Sequence, residues 1–161
     1  MARSKWLTPQ EQRAWRAFLH MQREFGGRIA HAIQHDTGLS GADYEVLVNL
    51  SEAPTGRMRA YELGTATQWE KSRLSHHITR MVDRGLVQRE TCSTDSRGAF
   101  VVLTPKGRSA IEAAAPKHVE HVRRWFIDSL TSEQLDALAE ISETITARLA
   151  EDADQCPPPS C

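Results

Sequence analysis

Apolar positions along the chain fall mostly at helical spacing, and the exceptions cluster in one place. Thr8-Pro9-Gln10-Glu11 supplies an N-cap, a proline at the first helical position and a capping-box glutamate. The helix it opens carries Trp15, Phe18, Leu19, Phe25, Ile29 and Ile33, with Gly38 past its end. Ser40 caps a second helix bearing Tyr44, Val46, Leu47 and Leu50, which stops before Pro54. Arg57 to Ala60 fits a short strand, and Tyr61 to Thr67 a brief helix. Trp69 is expected in the turn that follows. From Glu70 onward Leu74, Ile78, Met81 and Val82 share one side of a helix, at about 100° per residue. Gly85 stops it, with Arg84 in the last turn.

Helical spacing then gives way. Leu86 to Thr91 and Ala99 to Leu103 are β-branched-rich runs separated by polar residues from Cys92 to Gly98, which predicts a hairpin. Thr104-Pro105 opens a long helix to about Ser129, with Ile111, Ala115, Val119, Val122 and Phe126 as its stripe. Thr131 with Gln134 caps the last helix, where Leu135, Leu138, Ile141, Ile145 and Leu149 recur every three or four residues. Such a stripe is long for the final helix of a small chain. It predicts packing against the first helix and against a second subunit across a twofold axis. A closed intramolecular bundle is the alternative. The tail 151–161 lacks core residues and is expected to be disordered. The fold class is mainly α with a small β-hairpin.

The face of the Glu70 helix opposite its apolar side is basic and polar. Ser72, Arg73, His76, Thr79 and Arg80 lie there, with His77 on the flank. Arginine can donate two hydrogen bonds to guanine, and Ser, Thr and His can donate to bases or phosphates. An ordinary amphipathic surface helix would show a similar stripe. The hairpin tips the balance towards DNA: Asp95 can restrain Arg97, and an arginine on a narrow projection suits the negative potential of a minor groove.

Net charge is only −1, which by itself argues against a nucleic-acid partner. Its distribution reverses that. From Arg57 to Arg108 there are ten Lys/Arg (57, 59, 71, 73, 80, 84, 89, 97, 106, 108) and five Asp/Glu (62, 70, 83, 90, 95), so the remainder is acidic. With 161 residues the chain can bury one real core but hardly two.

Taken together, Leu63, the SRLSHHITRM segment, Arg84-Gly85-Leu86-Val87, Asp95-x-Arg97 and Leu103-Thr104-Pro105-Lys106-Gly107 resemble the MarR family of winged-helix transcription regulators. The resemblance covers about Thr8 to Leu149. It implies one domain over 1–150, with dimerisation helices at 8–36 and 105–150 and a winged-helix DNA-binding lobe at 40–104. It also implies an obligate homodimer on a pseudo-palindromic operator, with Arg97 in the minor groove supported by Asp95. Lys71, Ser72, Arg73, Ser75, His76, His77, Thr79, Arg80 and Arg84 are the expected contacts of the helix; Lys71 and Arg84 would meet phosphates. Leu135, Leu138, Ile141, Ile145 and Leu149 are the expected dimer contacts. The resemblance further implies a repressor released by a small aromatic or anionic effector, for which Trp15, Tyr44 and Trp69 are candidate lining residues. Trp69-Glu70-Lys71 and the paired histidines depart from commoner members, so no operator sequence carries over.

Other chemistry is thinly represented. Cys92, Cys156 and Cys161 do not form a disulfide framework, and Cys92 reads as a strand residue rather than a redox thiol. His31 with His35, and His118 with His121, share helical faces at metal-ligand spacing, but nothing completes a set, so neither a metal nor a cofactor is expected. No catalytic frame such as G-x-S-x-G occurs, and an enzyme is not expected. No apolar run suggests a signal peptide or a span, which predicts a cytoplasmic protein. A metal-responsive sensor and a helical interaction protein without DNA remain the competing readings.

Overall fold

The computed structural model describes the backbone of residues 6–92 and 95–155, and the side chains of residues 6–90 and 99–152. In chain order the elements are α1 (Pro9–Thr37), α2 (Gly41–Glu52), β1 (Arg57–Arg59), α3 (Ala60–Thr67), α4 (Lys71–Asp83), β2 (Val87–Cys92), β3 (Asp95–Leu103), α5 (Pro105–Trp125), a 3₁₀ turn (Ile127–Ser129) and α6 (Ser132–Gln155). They divide into two compact units, Met1–His121 and Val122–Cys161. Among the described residues no helix is long and apolar enough to cross a membrane.

The first unit is built on helix termini that the sequence specifies. Thr8 and Glu11 satisfy one another's backbone N–H groups, and α1 ends at Gly38, whose φ of 72° suits a residue without Cβ. Ser40 and Asp43 form the same reciprocal box at the start of α2. The sheet has the order β1-β3-β2, all antiparallel, pairing Met58 with Val101 and Val87 with Leu103. Val46, Leu47 and Leu50 of α2, Leu63 of α3, Leu74, Ile78 and Met81 of α4, Val87, Val101 and Ile111 form one buried cluster. α1 contributes only Ala32 and Ile33 as buried residues. Of its expected stripe Trp15 and Phe18 are exposed, Leu19, Phe25 and Ile29 half-buried and Ile33 buried; Met21 is exposed as well.

Four expectations need correction. Val82 is exposed, because the apolar face of α4 is centred on positions 74, 77, 78 and 81, the i, i+3, i+4, i+7 set, and His77 fills the second of them. β3 begins earlier than the run from Ala99 suggests: it starts at Asp95, which pairs with Cys92, with a register shift between Thr91 and Cys92. α5 stops at Trp125 rather than Ser129, since Phe126 leaves helical geometry (φ −132°, ψ −69°), and Arg123 bonds Asp128 across the break at 3.0 Å. Its buried face is Gly107, Ile111 and Ala114, one residue off the expected phase at Ala115, and Val119 is exposed. Gly107 sets that phase: a Cβ there would overlap the Leu86 carbonyl oxygen.

In the second unit Thr131 and Gln134 cap α6 reciprocally, as expected. The helix then continues past Glu151 to Gln155, against the expected disorder from 151. Arg148 pairs with Glu151 and Asp152 one turn on, at 3.2 Å each, which favours helix through the acidic stretch. The rest of the tail, with Cys156 and Cys161, lies outside the described residues.

Candidate nucleic-acid interface

α4 is held firmly at both ends. Before it, Gln68 takes a left-handed conformation (φ 54°) and the Trp69 N–H donates to the Gly64 carbonyl at 3.1 Å, closing a tight turn between α3 and α4. Trp69 is buried in that turn, as expected. At the other end Gly85 (φ 72°) and Leu86 donate back to Val82 and Met81 at 2.8 and 3.0 Å, a Schellman closure. The Leu103-Thr104-Pro105-Lys106-Gly107 segment seals the same end. Thr104 Oγ1 donates to the Gly85 carbonyl at 2.7 Å and accepts from the Gly107 N–H at 3.0 Å, and Lys106 Nζ donates to the Arg84 carbonyl at 2.7 Å. A motif that looks like the start of α5 therefore also caps α4.

Lys71, Ser72, Arg73, Ser75, His76, Thr79 and Arg80 are all exposed, on the face away from Leu74, Ile78 and Met81. These seven site residues lie together as expected. Two do not. His77 is only 7% exposed, and its Nε2 lies 3.1 Å from Asp43 Oδ1, close but without the alignment of a full hydrogen bond. Arg84, expected on a phosphate, instead donates to Asp43 Oδ2 at 2.7 Å. The reason in both cases is Asp43, a carboxylate 2% exposed that needs cationic and N–H partners. Burial alone would raise its pKa, but the bonds from Arg84 and Ser40 outweigh burial and hold it below the usual carboxylate range.

The hairpin is tied to α4 by a residue that the sequence did not single out. Arg89 Nη2 donates to the Ser75 carbonyl at 2.9 Å and to Thr79 Oγ1 at 3.0 Å. On the neighbouring strands Arg57 and Arg59 stack over Phe100, at 3.9 and 4.9 Å from its centroid. Side chains from Thr91 to Gly98 are not described, so the roles expected of Cys92, Asp95 and Arg97 lie outside the described residues. Asp43 did carry a readable signal, since Ser40-x-x-Asp43 is a capping box. Arg89 carried none beyond its charge.

Trp15, Tyr44 and Trp69 are not gathered around one cavity. Trp15 stacks on Phe18, Tyr44 meets His118 at a tilt with centroids 4.6 Å apart, and Trp69 meets His77 edge-on at 5.3 Å. Trp69 alone of the three lines a cavity of about 650 Å³ between α3, α4 and the sheet, alongside Arg59, Tyr61, Lys71, Leu74 and Arg89. The histidine spacings serve other contacts: His35 and His121 both reach Asp36, at 2.8 and 2.7 Å. No group of three metal-ligating side chains occurs among the described residues.

A model of the MarR family matches residues 37–98, the span from the end of α1 into β3. The crystal structure of AbsC, a MarR family transcriptional regulator from Streptomyces coelicolor, is 45% identical. It aligns over 92% of this chain and 99% of its own, with a TM-score of 0.86. The chain belongs to the MarR family. This regulator is similar also to Sco3205 from the same organism, solved in complex with DNA, at 37% identity over 89% of this chain and 94% of the other, TM-score 0.85. The transcriptional regulator HosA of Escherichia coli is 27% identical over 127 residues, 78% of this chain and 91% of that protein. The mainly helical fold with its three-stranded antiparallel sheet is the MarR winged-helix fold.

Proposed function

We propose that this regulator binds a pseudo-palindromic DNA operator as a homodimer, with α4 in the major groove and the β2–β3 hairpin at the flanking minor groove. The carrying observation is the exposed row Lys71, Ser72, Arg73, Ser75, His76, Thr79 and Arg80 on a helix whose opposite face is wholly buried. Arg73 and Arg80 are two turns apart, so both project from nearly one side, suited to base edges, while Lys71 suits a phosphate. Within the described hairpin Arg89 fixes the wing to α4, which would carry Arg97 towards the minor groove. Sco3205, the DNA-bound relative, supports the same use of this fold.

Dimerisation is inferred from unpartnered apolar surface in each unit. Ile141, Ile145 and Leu149 on α6 are 54–64% exposed, and Trp15, Phe18 and Met21 stand out from α1. Leu135 and Leu138 are half-buried on the same α6 stripe. Apolar rows of this kind mark an interface. The helices 8–36 and 105–150 are accordingly assigned to dimerisation and 40–104 to DNA. A repressor released by a small aromatic or anionic effector completes the reading; the cavity beside Trp69, with Arg59, Lys71 and Arg89 on its walls, has suitable size and charge.

Titration of fluorescent duplexes from the protein's own upstream region tests the assignment. Tight binding by two protomers per site is expected, weakening with salt at a slope of about −0.9 per phosphate neutralised. Affinity equal to that for random duplexes would overturn it.

A further inference from the structure

His77 sits where a base-contacting residue cannot, yet it touches the residues that flank it on the outer face. Arg80 Nη2 lies 3.1 Å from His77 Nδ1, and a guanidinium can only donate. Nδ1 therefore accepts, and the proton of the neutral ring is on Nε2, which faces Asp43 Oδ1. On the other side the Trp69 ring meets His77 edge-on, and the Arg73 guanidinium lies over the Trp69 ring, 4.3 Å from its centroid. Both arginines of the outer row thus lean on one buried aromatic pair.

We propose that His77 is a positioning residue for base recognition: neutral, with Nε2–H towards Asp43, it presets Arg80 through Nδ1 and, through Trp69, the platform beneath Arg73. This rests on the DNA-binding reading above and adds to it a residue that never meets DNA. Preset guanidinium planes matter because paired hydrogen bonds to guanine demand a fixed fork, and ordering a long side chain on binding weakens association.

The groups facing His77 decide what protonation would do. Asp43 of α2 favours the imidazolium, while Arg80 of α4 and Arg84 just past its end oppose it. Burial opposes it most, and the net effect pushes the His77 pKa below its ordinary value. The ring is therefore neutral at neutral pH. On protonation Nδ1 gains a hydrogen, Arg80 loses its acceptor, and two cations face each other. Base discrimination by Arg80 should fall in acid, whereas a histidine on phosphate would tighten binding there.

The test uses the dimeric protein and single-substitution duplexes built on the site it protects in genomic fragments. The readout is the affinity ratio between the preferred base pair and its alternatives at the position where Arg80→Ala relaxes preference. For wild type this ratio should shrink as pH falls below the ordinary histidine value of about 6.5, followed as far into acid as the protein stays folded and dimeric. His77→Gln retains a donor and an acceptor and does not titrate, so its ratio should stay selective and flat with pH. His77→Phe should lose roughly 5- to 150-fold of discrimination per half-site, and adding Arg80→Ala should change little more. A wild-type ratio independent of pH, or a His77→Phe protein as selective as wild type, overturns the proposal. Should His77→Phe not fold, the contrast between wild type and His77→Gln decides alone. Failure of wild type to protect any site overturns the DNA-binding reading itself, and the relay with it.

Discussion

Arg84 Nη1 lies 2.7 Å from Asp43 Oδ2 across 41 residues of sequence, and the pair fastens the end of α4 to the start of α2. Asp43 is almost fully buried while Arg84 is 45% exposed. Removing the arginine strands a buried carboxylate, a change that costs about 3–5 kcal/mol in a dry site. Water can reach this one, so Arg84→Ala should cost about 1–3 kcal/mol. Urea unfolding followed by tryptophan fluorescence measures it. In the Asp43→Asn background the same substitution should cost clearly less; equal costs in both backgrounds would separate the two residues.

The same cluster predicts acid sensitivity. Folding lowers the pKa of His77 and of Asp43, so the unfolded chain binds more protons than the folded one at acid pH. Stability should be full above the unfolded histidine value of about 6.5 and decline as pH falls through the folded value, with Asp43 adding a further loss below about 3.9. Melting temperature recorded from pH 8 to 4 checks the sign. His77→Gln should flatten the upper part of that profile, and a profile as steep as wild type would exclude His77 as its source.

Much of this could be read from the chain because helix ends are local. Thr8 with Glu11, Ser40, Gly38, Gly85 and Thr131 with Gln134 announce termini within a few residues, and the structure places caps at each. Leu74, Ile78 and Met81 follow from period alone. His77 did not, because a polar residue at an apolar-face position is explained only by a partner, and Asp43 lies on another helix. The bond from Arg84 to Asp43 was hidden for the same reason. The start of β3 and the end of α5 depend on pairing across the hairpin and on backbone geometry at Phe126, which composition does not encode. Seven exposed residues of α4 were legible as a group because charge and phase agreed.

Arg89 offers a separate test of the wing. Its side chain is exposed, so Arg89→Met should change stability by no more than about 1 kcal/mol. Freed from Ser75 and Thr79, the hairpin should hold Arg97 less well, and operator affinity should drop by a similar factor for all base variants. Loss confined to particular base pairs would instead make Arg89 a reader.

The dimer assignment can be tested at a position that is open within the chain. Ile145 is 54% exposed, so Ile145→Asp in a true monomer should shift stability by only about 0.5 kcal/mol. Against an apolar partner the buried charge costs several kcal/mol and should force the subunits apart. Sedimentation equilibrium distinguishes these, and operator affinity should fall with the dimer.

The most direct measurement is a base-by-base scan of the operator with wild type, Arg73→Ala, Arg80→Ala and Lys71→Ala at fixed salt. Each arginine variant should lose about 1–3 kcal/mol per half-site and relax preference at its own base pair, while Lys71→Ala weakens all sequences alike. An unchanged preference profile in both arginine variants would contradict the claim that the outer row of α4 reads DNA.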